Sequence, residues 1–196
     1  PDIDDTAEVV LALDRVHFEE GKGRDAANER AAAWTIGMQC RDGGWGAFDV
    51  DNSSRLCSAL PFCDFGEVTD PPSADVTAHV IEMLAPRSPA AALAPAVSWL
   101  SDAQESDGSW FGRWGANHLY GTGAAVPALV AAGVAPEDPR IRRAVSWLVD
   151  HQNDDGGWGE DLRSYRDDSW RGRGTSTASQ TAWALLALLA AGERSS

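Results

Sequence analysis

Basic residues are scarce in this 196-residue chain: 16 Lys and Arg stand against 30 Asp and Glu, a formal net charge of −14. A surface so short of cations disfavours nucleic acid as a partner and disfavours electrostatic docking on anionic lipid. Any membrane contact has to be apolar. Cysteine is nearly absent too. Cys40, Cys57 and Cys63 are odd in number and form no CxxC pair, so neither a disulfide framework nor a zinc site is encoded, and a reducing compartment fits. No run of 18 apolar residues and no signal peptide occurs. An initiator Met is also missing; the chain opens directly on a helix start, and the expectation is a fragment of a longer protein. What the sequence does contain is apolar bulk, 43% hydrophobic residues, ample for a packed core.

The tryptophans are placed by a rule. Trp, then Gln five residues on, Gly four further and a second Trp recur three times, as Trp34, Gln39, Gly43, Trp45; Trp99, Gln104, Gly108, Trp110; and Trp147, Gln152, Gly156, Trp158. A second repeat interleaves with it. Thr6-Ala7, Thr77-Ala78 and Thr181-Ala182 each open an apolar helix, with Thr122-Gly123 as a weaker relative. Two helix types therefore alternate. One, as in Ala182 to Ala191, is apolar nearly all round and reads as buried on every side. The other is amphipathic: Asp138 and Pro139 open it as N-cap and N1, and Ile141, Val145 and Leu148 share a face. Ser88-Pro89 opens another by the same rule, with Leu93, Val97 and Leu100 as its stripe. Inner helices wrapped by outer ones make an all-α fold, an α/α toroid, and about seven helices make only a partial ring with buried faces left without partners. All of 1–196 then belongs to one such domain.

Chemistry concentrates at the start, Asp2-Ile3-Asp4-Asp5-Thr6-Ala7. Asp5 suits the N-cap, with Glu8 closing a capping box. Asp2 and Asp4 are then left over, and a desolvated Asp4 beside other carboxylates would stay protonated near neutral pH, as an acid catalyst requires. Registering the inner helices on their Thr-Ala pairs puts His79 at the same end as Asp4, where its imidazolium could hydrogen-bond that carboxyl. Asp75 reads as the N-cap of its helix and as a group orienting His79. Phe48, Phe62, Phe65, Trp114 and Tyr120 fall in or next to loops capping this end, and ring faces stabilise a desolvated cation by about 2 kcal/mol. Metals are not expected. Asp49-Val50-Asp51-Asn52 fails as a calcium loop because Ser54 and Leu60 stand where Gly and Glu are needed, and no Lys or Arg flanks Asp2 to Asp5 to receive a magnesium-bound diphosphate. His17, His118 and His151 read as surface or packing residues.

These motifs resemble those of the squalene-hopene cyclases, class II triterpene cyclases of bacteria, over essentially the whole chain. Asp2 to Ala7 looks like that family's DxDDTA acid motif, and the Gln-x-x-x-Gly-x-Trp units look like its QW repeats. The stretches Pro61 to Pro72 and Gly108 to Gly115 are equally similar to the family. The resemblance implies that Asp4 protonates a terminal alkene of squalene, that Asp2, Asp5 and His79 hold and acidify it, and that hopene or a related pentacyclic triterpenoid results. It places Phe48, Phe65, Trp114 and Tyr120 on the cavity wall and Phe62 with Cys63 near the channel constriction. It implies no cofactor, a protein seated monotopically on the cytoplasmic side of the membrane, a possible homodimer, and a second barrel and an aromatic C-terminal end absent from this chain. An epoxide substrate is disfavoured, since oxidosqualene cyclases carry Cys where Asp4-Asp5 stands here. Two other classes stay open on the residues alone: a glycoside hydrolase on an α/α toroid, which needs paired carboxylates across an open cleft, and a non-catalytic toroid scaffold.

Overall fold

The structure is a computed structural model that describes residues 2–16, 22–53 and 69–193. Seven α-helices run through them: α1 (Ile3–Arg15), α2 (Lys22–Gly37), α3 (Ala74–Leu84), α4 (Ala90–Asp102), α5 (His118–Ala131), α6 (Pro139–Asp150) and α7 (Ala178–Ala190). Short 3₁₀ turns at Leu162–Tyr165 and Asp168–Trp170 interrupt the last long connection. The odd-numbered helices pack on one another in sequence, α1 on α3, α3 on α5 and α5 on α7, while α2, α4 and α6 lie behind them. This is an arc of an α/α toroid, as the alternation of helix types requires.

The inner helices α3 and α5 sit at the centre of the arc and are buried on almost every side, with Val76, Val80, Ile81, Leu84, Leu119, Val126 and Leu129 closed to solvent. Helix α7 does not match its expected burial. Ala184 and Ala187 face α5, but Leu185, Leu186 and Leu189 are exposed, the last at 63%, because no described element packs on their side. The outer helices follow the amphipathic reading: Ile141, Val145 and Leu148 are buried on α6, and Asp138 caps it by accepting from the Arg140 amide. For α4 the N-cap is Pro89, one residue later than the expected Ser88.

Each tryptophan repeat joins an outer helix to the next inner helix with the same bonds. The Gln side-chain amide donates to the carbonyl of the Gly four residues on, from Gln39 to Gly43 (2.9 Å), Gln104 to Gly108 (2.9 Å) and Gln152 to Gly156 (2.8 Å). The indole N–H then reaches back to a carbonyl near the end of the preceding outer helix, at Thr35, Leu100 or Leu148. Forward, the backbone N–H of the same tryptophan donates to a threonine hydroxyl of the next inner helix: Trp45 to Thr77, Trp110 to Thr122 and Trp158 to Thr181, each at 3.0 Å. The Thr-Ala repeat is thereby explained as the socket for the tryptophan repeat. No described helix is long and apolar enough to cross a membrane.

Candidate active site

Helix α1 starts three residues earlier than the capping-box reading places it. Asp2 is the N-cap, its Oδ1 accepting from the Asp5 amide at 3.0 Å, and the Ile3 N–H donates to the Ala47 carbonyl at 2.8 Å. Ile3 is fully buried, so this tertiary contact, which no local rule contains, decides where the helix begins. Asp5 and Glu8 are exposed. Asp2 therefore serves the helix terminus and Asp5 faces solvent, which leaves Asp4 as the half-buried carboxyl not engaged by the helix end.

Asp4 is bonded from the neighbouring inner helix. His79 Nδ1 lies 2.7 Å from Asp4 Oδ1, with side-chain exposures of 13% and 21%, and 3.5 Å from Glu8 Oε1. Burial works against the imidazolium, but the Asp4 hydrogen bond and the charges of Asp4, Glu8 and Asp75 prevail and hold His79 above its ordinary value. The bond to Oδ1 leaves Oδ2 as the oxygen that can carry a proton. A cationic ring on Oδ1 stays in place to stabilise the carboxylate left after proton transfer.

Asp75 does not cap its helix. Ser73 is the N-cap of α3, and Asp75 lies one turn before His79, fully buried, with Oδ2 accepting from the Trp114 amide at 2.7 Å. It thus hangs the Trp114 loop on α3 and contributes charge, not a hydrogen bond, to His79. Trp114 and Phe48 meet edge to face at 5.9 Å and are each 49% exposed. The Phe48 loop is held by Asp70, a buried residue whose carboxylate accepts from the amides of Ala47, Phe48 and Asp49. The centre of the Tyr120 ring lies 6.0 Å from that of His79 and 4.8 Å from that of Trp183 on α7. Burial, then the charges of Asp4, Asp75 and Glu8, push its phenol far above the usual range, so it stays neutral. Phe62, Cys63 and Phe65 lie outside the described residues, as do Cys57 and His17.

The arc brings Asp4, His79, Asp75, Trp114, Phe48 and Tyr120 to one end of its inner helices and supplies one open wall. Solvent-open concavities of about 470 and 590 Å³ lie elsewhere, against α6 and in the 153–176 connection, and Asp4 lines neither. Among the described residues no group of His, Cys, Asp and Glu is arranged to hold a metal ion.

One buried pair escaped the sequence reading. His118, taken as a packing residue, places Nδ1 3.0 Å from Glu160 Oε1, and Oε2 of the same carboxylate accepts from the amides of Asn117 and Leu119. Burial opposes the charge, yet the His118 side-chain bond and the backbone amides of Leu119 and His118 bring Glu160 down to about 2. The available signal lies in the repeat: two residues past its second tryptophan the first two copies carry Ala47 and Gly112, and the third carries a carboxylate. His151 is a packing residue as expected, stacked on Trp147 at 4.4 Å.

Residues 1–196 match the model of the squalene-hopene cyclase C-terminal domain. The chain belongs to the squalene-hopene cyclase family. A squalene-hopene cyclase of Alicyclobacillus acidocaldarius is 55% identical over 199 residues, covering 100% of this chain and 32% of that protein. One of Bradyrhizobium diazoefficiens is 51% identical over 200 residues, covering 98% of this chain and 30% of its own length. The chain thus spans about a third of the length of these curated relatives. Among solved structures, the type II terpene cyclase MstE from Scytonema aligns with a TM-score of 0.62 over 96% of this chain and 49% of that one; at 24% identity the likeness concerns the fold.

Proposed function

We propose that the whole protein to which this family segment belongs cyclises squalene or a similar polyprenoid, with Asp4 as the acid. The observation that carries the reading is the 2.7 Å contact between His79 Nδ1 and Asp4 Oδ1, made across two inner helices at the aromatic end of the arc. The Asp4 carboxyl gives its proton to a terminal carbon of the alkene, the alkene's π pair becomes the new C–H bond, and a tertiary cation remains. Each further double bond attacks the cation in turn, until proton loss or water addition ends the cascade. His79 as imidazolium balances the Asp4 carboxylate during this time, and solvent later returns the proton. Phe48, Trp114 and Tyr120 present ring surfaces to the cation and keep water off it. Hopene or a related pentacyclic triterpenoid is the product, and the whole protein sits monotopically on a membrane that delivers its insoluble substrate.

Incubating the full-length enzyme with squalene and analysing the extract by gas chromatography tests this, with cyclised hydrocarbon or alcohol as the expected result. Asp4→Asn keeps the shape and the bond to His79 but removes the transferable proton, so turnover should fall by about 10³-fold or more with an unchanged circular dichroism spectrum. Full turnover in that variant removes Asp4 from its role. With only one wall of the chamber, residues 1–196 alone should yield no cyclised product.

A further inference from the structure

Building on the cyclase reading, we infer that Glu160 is a positioning residue: as a remote cap for α5, fixed by His118, it sets the ring of Tyr120 against His79. Helix α5 starts with Asn117 as N-cap, whose side chain makes no capping bond, so its first amides need an acceptor from elsewhere. Glu160 supplies it from 41 residues further along the chain, accepting from Leu119 N at 2.7 Å and from Asn117 N at 3.2 Å. A carboxylate is the preferred group at a helix N-terminus, and here it is buried, where such bonds count most. The His118 ring holds its other oxygen.

The clamp is itself anchored. Gln180 in the first turn of α7 accepts the Glu160 N–H at 3.0 Å, and its side-chain amide donates to the carbonyls of Glu160 and Ala116. One network therefore ties α7, the third repeat and the start of α5. Tyr120 follows Leu119 directly, and its ring has no latitude of its own. A Cβ on Gly115 would stand 2.4 Å from Tyr120 Cδ1, one on Gly112 2.8 Å from the same atom, and Trp183 closes the other side at 4.8 Å. Backbone placement at residues 117–119 is thereby transmitted to the ring that borders the acid's imidazole.

The test uses the full-length enzyme with squalene. Glu160→Gln keeps the volume but removes the charge, and its NH₂ has to face either the His118 ring or the backbone donors. Expected are a fall in kcat of about tenfold with KM within about twofold, more partially cyclised hydrocarbon in the product mixture, and faster hydrogen exchange in a peptide spanning 112–125. In a Tyr120→Ala background the same substitution should cost less than about threefold more, because its effect runs through that ring. Losses that multiply in the double variant, or unchanged exchange in 112–125, overturn the proposal. Should Glu160→Gln not fold, His118→Phe, which keeps a ring against Phe111 and removes one donor, carries the same measurements with a smaller shift in the same direction. If the parent enzyme cyclises no polyprenoid, the cyclase reading falls, and the exchange experiment alone decides the clamp.

Discussion

A carboxyl group that hands a proton to an alkene needs a partner for the charge it keeps, and His79 is in place to be that partner. Because its pKa is raised on folding, the imidazolium–Asp4 interaction is fully present below the ordinary histidine value of about 6.5 and is lost as pH rises through the higher folded value. The rate profile should therefore show an alkaline limb above pH 6.5; His79→Gln should lower kcat by about 10²-fold and remove that limb, measured as kcat against pH on squalene. Glu160 has the opposite sign. Its pKa drops from 4.5 to about 2, so its stabilising effect is complete above pH 4.5 and is lost as pH falls towards 2, a difference of about 3 kcal/mol. Denaturant titrations of parent and Glu160→Gln protein should diverge at pH 6 and converge near pH 2. The Asp4–His79 pair was legible because the Thr-Ala register carries two residues on parallel helices to one end. Neither the Asp2 cap nor the Glu160–His118 bond was, since the first is decided by Ile3 meeting Ala47 and the second joins residues 42 positions apart.

The repeats do their work at helix ends. The three glycines share a left-handed backbone, with φ of +101° at Gly43, +100° at Gly108 and +82° at Gly156. Their surroundings differ. A Cβ on Gly108 would lie 2.8 Å from the Arg143 carbonyl of α6, whereas one on Gly156 would meet nothing within 4 Å. Gly156→Ala should then cost only the backbone strain, about 1 kcal/mol, and Gly108→Ala clearly more because α6 has to shift, seen as the larger drop in melting temperature. Thr122→Val leaves the buried Trp110 amide without its acceptor and should cost about 1–3 kcal/mol by denaturant melt. The spacing of Trp, Gln and Gly announced the scaffold, but not that the threonines receive the tryptophan amides. That bond spans 32 residues in the first copy and 12 in the second, so no fixed offset betrays it.

Across the whole molecule the arc leaves an apolar edge. Leu186 at 55% and Leu189 at 63% stand on the side of α7 away from α5, on a helix whose sequence is apolar all round. An inner helix of this composition is built to be covered, and the curated relatives extend to about three times this length. The same substitution should consequently act in opposite directions in two settings. In a protein of its relatives' length, Leu186→Glu with Leu189→Glu places two charges in a packed interface and should destabilise by about 3 kcal/mol or more, read as a lower melting temperature. In residues 1–196 alone the pair removes exposed apolar surface, so fluorescence of a bound hydrophobic dye and self-association by light scattering should both decrease. If the longer protein tolerates both glutamates without a change in melting temperature, α7 is an outer boundary of the ring and the toroid does not continue across that face.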